Sequence, residues 1–238
     1  MTINLTVIGP EGAPPLVLSN ALGTSSQMWD RQVDAFARRF AVVRYEHAAR
    51  PSVSELADSI IDALDRVGVR RFSFCGLSLG AMVGMTIAAS APDRIDRLVL
   101  ACTSARLGHE TECNERIALV RAGGVDAVAP GMLESWFTPA FADREAFLRM
   151  QLDTPREEYA LALTAAGRFD LRERLREIRA PTLVVAGADD TATPPVAAEL
   201  IAARVPDAQL RVLDRAAHLA NVEQADAFNL AVLEHLWG

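Results

Sequence analysis

Short apolar runs alternate with amphipathic helical patterns along the first hundred residues, and this alternation limits the folds open to the chain. The apolar runs have the near-continuous hydrophobic content of strands that are buried on both faces. Four of them precede residue 105: PLVLSN (15–20), FAVVRYE (40–46), RFSFCG (71–76) and IDRLVLAC (95–102). Helical patterns separate the runs, which is typical of right-handed βαβ crossovers. The sequence therefore predicts an α/β fold, with a mostly parallel sheet and helices on both of its faces.

The alternation stops at Ala105 and resumes after Leu175. The stretch between them has helical spacing broken by glycine and proline, and it contains no convincing strand. Strand patterns return at PTLVVAGA (181–188) and AQLRVLD (208–214), and each is followed by a helical pattern. We interpret residues 105–175 as a helical cap that is inserted into a core formed by residues 1–104 and 176–238.

Composition excludes several classes of function. The net charge is −7 and the arginines are scattered among acids, so the chain lacks the clustered positive charge that nucleic-acid binding requires. Its three cysteines have no C-x-x-C spacing, which indicates neither a disulfide framework nor a zinc site. We see no signal-peptide pattern and no membrane-length apolar run. We expect a cytoplasmic protein that acts on a small molecule without a metal or organic cofactor, and the oligomeric state stays open.

The segment FCGLSLG (74–80) places Ser78 between two glycines at the point where a predicted strand gives way to a helix. Small residues two positions before and two positions after a serine allow the backbone to turn sharply there. The hydroxyl is then exposed at the carboxyl edge of the sheet, where open α/β sheets bind ligands. Ser78 is therefore a candidate nucleophile, and the alternative is a serine in an ordinary glycine-rich turn.

A serine nucleophile needs a base, and the base needs an acid that orients it. Asp189 and Asp190 follow one predicted strand, and His218 follows the next. Because the carboxyl ends of parallel strands meet at one edge, these loops are expected to converge on Ser78 in the chain order serine, aspartate, histidine. The residues alone leave open which aspartate orients His218.

A tetrahedral intermediate also needs donors for its oxyanion. The amide of Leu79, at the start of the helix after Ser78, is one candidate, and the amide of Leu22 in the loop SNALGTSSQMW is the other. The remaining histidines, His47, His109 and His235, have no evident partner and are interpreted as structural. Cys75 and Cys102 are interpreted as small buried residues.

These segments resemble the α/β-hydrolase superfamily and, within it, the 3-oxoadipate enol-lactonase group. The resemblance covers nearly the whole chain and is carried by LVLSNALGTSSQMWD, FCGLSLGAMVG, DRLVLACTSARLG, WFTPAF and DLRERLREIRAPTLVVAGADDTATPP. The family pattern G-x-x-D-x-x-T-P falls on Gly187, Asp190, Thr193 and Pro194, so the resemblance favours Asp190 over Asp189. It implies an α/β-hydrolase fold with a Ser78–His218–Asp190 triad.

The resemblance also implies a substrate. An enol-lactone with a carboxylate would require a cation, for which Arg106 is the candidate, and Trp136 and Phe137 are expected to line the underside of the cap. The loop HAARPSV after the second predicted strand is shorter than in the relatives, which leaves the substrate in doubt. The same residues would serve a general carboxylesterase, a carbon–carbon hydrolase of ring-cleavage products or a cofactor-free perhydrolase. A non-catalytic protein that binds a ligand under the cap is the alternative from another class.

Overall fold

The computed structural model describes residues 3–107 and 110–237, and seven strands in it form one sheet. The strands are β1 (Leu5–Ile8), β2 (Pro15–Ser19), β3 (Ala41–Tyr45), β4 (Phe72–Leu77), β5 (Ile95–Ala101), β6 (Thr182–Gly187) and β7 (Gln209–Leu213). Their order is β1-β3-β2-β4-β5-β6-β7, with β1 antiparallel to β3 and all other neighbours parallel. The predicted fold class is confirmed. The edge strand β1, which is four residues long and largely exposed, is not predicted from the sequence.

Ten α-helices accompany the sheet in the described part of the chain. They are α1 (Asp30–Phe36), α2 (Val53–Arg66), α3 (Leu79–Ser90), α4 (Glu110–Gly123), α5 (Ala129–Trp136), α6 (Glu145–Leu152), α7 (Arg156–Gly167), α8 (Pro195–Arg204), α9 (Ala220–Glu223) and α10 (Ala225–Trp237). Short 3₁₀ turns lie at Ser26–Trp29, Pro92–Arg94, Val125–Ala127 and Arg172–Glu177. Among the described residues, no helix is long and apolar enough to cross a membrane.

Helix α2 shows how local sequence signals set the boundaries of an element. The Ser52 hydroxyl accepts a hydrogen bond from the amide of Glu55 at 3.2 Å, as expected for an N-cap. Gly68 follows the helix with a φ of 77°, a conformation that favours glycine. Between these ends, one face carrying Leu56, Ile60 and Leu64 is buried against the sheet and α3.

The sheet divides the core into two large apolar clusters. One contains α2, α3 and α8 residues, and the other contains α1 and α10 residues together with Trp136 and Phe137. Helix α3 starts at the centre of the sheet and is buried along nearly its whole length, with Ser90 exposed at its end. Because such burial fixes its position, the residue that precedes α3 is held rigidly at the carboxyl edge of β4.

Four helices, α4 to α7, lie between β5 and β6, where the sequence predicts the cap. The two ends of this segment lie side by side. Arg106 pairs with Asp170 in an isolated bridge, and the amide of Leu171 donates to the carbonyl of Ala105 at 2.9 Å. In the described residues this bridge is the segment's only β pairing. The cap boundaries at 105 and 175 stay a prediction, and His109 lies outside the described residues.

Candidate active site

Ser78 occupies the turn between β4 and α3 with φ 56° and ψ −115°. A positive φ in a residue other than glycine is strained by roughly 1–3 kcal/mol and persists only where the surroundings enforce it. Here the amide of Ser78 donates to Ala101 O at 2.9 Å, and its carbonyl accepts from Met82 N at 3.1 Å and from Thr103 Oγ1 at 3.0 Å. These bonds hold the backbone while the Ser78 side chain stays half-buried among fully buried neighbours.

The two glycines of the motif are required by close backbone contacts. A Cβ on Gly76 would collide with the backbone of Gly80 and would lie 2.6 Å from Ala81 N. A Cβ on Gly80 would collide with the carbonyl of Ser19 and would lie 2.8 Å from Asn20 O. The turn is therefore packed directly against the end of β2, where the loop that contains Leu22 begins.

His218 and Asp190 form a buried pair beside this turn. His218 Nδ1 lies 2.9 Å from Asp190 Oδ2, and both side chains are almost fully buried. Because the proton on Nδ1 is donated to the carboxylate, His218 Nε2 is left unprotonated and is able to accept a proton. Ser78 and His218 line the same cavity of about 370 Å³.

Asp190 accepts further hydrogen bonds from its own loop. Ala192 N and Thr193 N donate to Oδ1 at 2.8 and 2.9 Å, and Thr193 Oγ1 donates to Oδ2 at 2.8 Å. Burial by itself would raise the pKa of Asp190, but the charge that His218 carries once protonated and the hydrogen bonds from His218 and Thr193 outweigh burial and lower the pKa. Asp189 is exposed, so the structure places Asp190 and not Asp189 against the imidazole.

Glu223, which the sequence analysis missed, joins the His218 loop to the cap. Its Oε2 accepts from Ala217 N at 2.6 Å, and its Oε1 accepts from Thr138 N at 2.9 Å and from Thr138 Oγ1 at 2.7 Å. On the other side of the histidine, Leu219 N donates to Trp136 O at 3.0 Å. The residues flanking His218 are thus both tied to the segment 136–138. The signal in the sequence is an acid five residues after the histidine, at the end of α9.

The loop after β2 presents the amide of Leu22 in a tight turn. Thr24 N donates to Ala21 O at 3.3 Å, and Gly23 has a φ of 72°. Asn20 anchors the start of the loop, since its Nδ2 donates to Tyr45 O at 3.0 Å and its Oδ1 accepts from Trp29 Nε1 at 3.1 Å. Among the residues that the structure describes, the amides of Leu22 and Leu79 donate to no other residue.

His47 lies next to the same loop. Its Nε2 is 3.0 Å from Asn20 O, and its ring packs edge-on against Tyr45 at 5.2 Å between centroids. Burial lowers the pKa of His47 to about 4, despite the hydrogen bond to Asn20, so the ring is neutral at pH 7. Burial likewise raises the pKa of the Cys75 and Cys102 thiols, which keeps both protonated.

A model of the alpha/beta hydrolase family matches residues 16–231. The chain belongs to this family. Its fold and its complement of a serine, a histidine and an acid at one sheet edge agree with that membership.

Relatives and solved structures of hydrolases cover the chain almost completely. The chain is 31% identical to 3-oxoadipate enol-lactonase 2 of Acinetobacter baylyi over 98% of its own length and 92% of that enzyme. A hydrolase from Pseudomonas aeruginosa is 40% identical, with a TM-score of 0.95 over 99% of this chain and 94% of the other. The enol-lactonase from Burkholderia xenovorans is 32% identical, with a TM-score of 0.95 over 99% of this chain and 96% of the other. The protein is a hydrolase.

The predicted substrate-binding residues of this hydrolase lie outside the cavity that holds Ser78. Arg106 is exposed and is absent from the lining, which instead includes the exposed Arg116 of α4. Trp136 and Phe137 are buried in the apolar cluster beneath the cap, where Phe137 stacks on Phe141 at 4.5 Å. Their predicted contact with substrate stays a prediction.

Proposed function

We propose that the protein is a serine hydrolase that opens a small lactone or ester through a triad of Ser78, His218 and Asp190. The observation that carries the proposal is the buried 2.9 Å contact between His218 Nδ1 and Asp190 Oδ2. The same histidine lines one cavity together with Ser78, whose backbone is strained. Strain at a solvent-accessible serine and a histidine held in one tautomer are the features that nucleophilic catalysis requires.

The reaction follows from these roles. Ser78 Oγ attacks the carbonyl carbon while His218 Nε2 takes its proton, and the Leu22 and Leu79 amides stabilise the oxyanion. The intermediate collapses as His218 returns the proton to the leaving oxygen, which leaves an acyl group on Ser78. Water, deprotonated by His218, then attacks this acyl group, and the bond to Ser78 Oγ breaks as His218 returns the proton to that oxygen and the acid is released. Asp190 stays ionised throughout and stabilises the imidazolium.

The leading substrate is 3-oxoadipate enol-lactone, the compound named for relatives of the chain. In this lactone the carboxylate is attached, through a methylene, to the enol carbon on the leaving side of the broken bond. Arg116 supplies a cation in the cavity that contains His218; its guanidinium contacts Met132 Sδ at 3.7 Å and takes part in none of the ion pairs among the described residues. Glu112, one turn earlier on α4, also lines this cavity and leaves Arg116 free for the substrate. Arg116 is therefore proposed for the role predicted for Arg106.

Labelling with a fluorophosphonate tests the triad independently of the substrate. We expect one covalent mass increase on the wild-type protein and none on Ser78→Ala. Ser135→Ala is the matched control, since Ser135 lines the same cavity and its hydroxyl bonds Met132 O at 2.7 Å. Equal labelling of wild type and Ser78→Ala would refute the assigned nucleophile.

Turnover of enol-lactone, a dienoate ring-cleavage product and a p-nitrophenyl ester tests the substrate. For Arg116→Gln we expect KM for the enol-lactone to rise about tenfold, as for the loss of one charge-assisted hydrogen bond, with an uncharged lactone unaffected. Arg121→Gln, on the same helix but outside the cavity, is the control. Turnover of the p-nitrophenyl ester alone would support a general carboxylesterase, and turnover of the dienoate would support a carbon–carbon hydrolase. The cytoplasm is the proposed location, because Cys75 and Cys102 are buried thiols of the kind that a reducing compartment preserves.

A further inference from the structure

A second cavity, of about 400 Å³, adjoins the cavity with Ser78. Most of its walls come from the loop 21–25 after β2, the short loop 46–50 after β3, and cap residues 150–162 of α6, α7 and their connection, while Leu56 of α2 and Leu79 of α3 complete them. The volume falls in the range of ordinary small-molecule sites. The proposed reaction with an enol-lactone makes no use of it.

The two cavities meet at Leu22 and Leu79, which line both of them. These are also the residues whose amides are proposed to bind the carbonyl oxygen. A carbonyl carbon is trigonal, so an oxygen fixed between the two amides leaves the other two substituents to point away from it in different directions. Because Leu22 and Leu79 line both cavities, each cavity offers a space for one of these substituents.

The position of His218 decides which substituent enters which cavity. His218 lines the cavity with Ser78 but not the second cavity. Because the histidine must deliver a proton to the leaving oxygen, the leaving group has to lie on its side. The acyl chain is therefore directed into the second cavity.

The lining of the second cavity defines the acyl chain that it fits. Methyl and thioether groups of Ala48, Ala49, Ala162 and Met150 form apolar walls suited to methylene groups. The acidic and guanidinium side chains of the lining are three acids and one arginine: Glu46, Asp153, Glu158 and Arg50. Glu46 already accepts hydrogen bonds from Ser26 N at 2.9 Å and Asn20 Nδ2 at 3.3 Å. The excess of carboxylates disfavours an anionic acyl group.

We propose that the second cavity is an acyl-chain site that gives the enzyme activity on open-chain esters with an uncharged acyl chain of about four to eight carbons. This inference rests on the proposed serine hydrolase mechanism. It extends that mechanism to substrates larger than a small lactone, whose acyl part is short and held within its ring.

Esters that share one leaving group isolate the acyl site. We expect kcat/KM of the wild-type protein to be at least tenfold higher for p-nitrophenyl hexanoate than for the acetate, the gain from burying about two of the added methylenes. The p-nitrophenyl monoester of adipate, with the same chain length and a terminal carboxylate, is expected to be at least tenfold poorer than the hexanoate. Equal kcat/KM for acetate and hexanoate would overturn the proposal.

A second experiment fills the cavity with a larger side chain. We expect Ala49→Phe to lower kcat/KM for the hexanoate at least fivefold and to leave the acetate unchanged, while Ala118→Phe, exposed on α4, changes neither. An unchanged hexanoate preference in Ala49→Phe would also overturn the proposal. If that variant does not fold, Ala162→Leu, on α7 in the same lining, replaces it, and kcat/KM for the hexanoate and the acetate is compared in the same way. Failure of the serine hydrolase proposal is distinct, since it would abolish turnover of both esters and the fluorophosphonate label.

Discussion

Replacing Glu223 by alanine tests whether the cap positions His218, the proposed catalytic base. The carboxylate accepts three hydrogen bonds, one from Ala217 N next to His218 and two from Thr138 in the cap. Its removal leaves these donors without their acceptor and releases the histidine loop from the cap. Glu223 does not line the cavity with Ser78, so any effect on turnover has to act through His218.

The size of the effect follows from the burial of the donors. A hydrogen bond to a charged group contributes about 1.5–3 kcal/mol, and water replaces part of it where the group is accessible. Ala217 is almost fully buried, whereas Thr138 and Glu223 are half-buried, so we expect a loss of about 2–4 kcal/mol of unfolding free energy. For a chain of this length that corresponds to a fall in Tm of roughly 4–16 °C. A displacement of His218 by about 1 Å would in addition lower kcat roughly a hundredfold.

The assay measures kcat and KM on p-nitrophenyl hexanoate together with thermal unfolding. We expect Glu223→Ala to lower kcat by at least tenfold at a temperature where the variant is folded, with KM within about twofold. Glu223→Gln keeps one oxygen acceptor and should fall between alanine and wild type, and Glu234→Ala, exposed on α10, should match wild type. A Glu223→Ala variant that is destabilised but retains wild-type kcat would refute the positioning role and leave a purely structural one.

Two further predictions concern residues that contact the start of the loop with Leu22. Gly80→Ala would place a Cβ against the carbonyls of Ser19 and Asn20, and backbone atoms cannot move aside as a flexible side chain does. We therefore expect the free energy of unfolding to fall by about 1–3 kcal/mol and kcat to fall at least tenfold. Gly131→Ala, where a Cβ meets nothing within 4 Å, is the control, and equal kcat in both variants would contradict the packing argument. Because the pKa of His47 is lowered to about 4 in the folded protein, His47 takes up a proton below about pH 6.5 in the unfolded chain but only near pH 4 in the folded one. The free energy of unfolding therefore falls as the pH drops through this window. Between pH 7 and pH 5 the loss is at most about 2 kcal/mol, and urea unfolding of His47→Gln should show a smaller decrease than wild type over the same interval.

The sequence predicted those features that depend on local pattern and on strand order. Strands β2 to β6 are mainly apolar because both faces of the parallel sheet are covered there, and their positions, like that of the more exposed edge strand β7, were readable within one or two residues. Ser78, Asp190 and His218 follow three of these strands, β4, β6 and β7, which brings them to one edge whatever the detail of the loops. Strand β1 was missed because it is a short, exposed edge strand with an antiparallel partner.

Features that depend on contacts between distant segments could not be predicted in this way. Asp189 and Asp190 are adjacent in one loop, and what distinguishes them is the turn that brings Thr193 N and Thr193 Oγ1 to the carboxylate of Asp190. Glu223 acquires its role from Thr138, which is 85 residues away in the chain. The closeness of Arg106 to a strand end favours it in the sequence, but the bridge to Asp170 holds this residue at the base of the cap, whereas Arg116 on α4 lines the cavity.

Reaction type and substrate choice therefore reside in different parts of the chain. The proposed nucleophile, base and acid are supplied by loops of the sheet, whose positions are fixed by the strands and by the packing of Gly80 on β2. The cavity walls proposed to contact the rest of a substrate come in large part from α4, α6, α7 and the short loop after β3, and these three helices pack mainly on other parts of the cap. Since neither Ala49 nor Arg116 contacts the triad through a hydrogen bond, substitutions at these two positions should change which ester is hydrolysed while the fluorophosphonate reactivity of Ser78 stays the same.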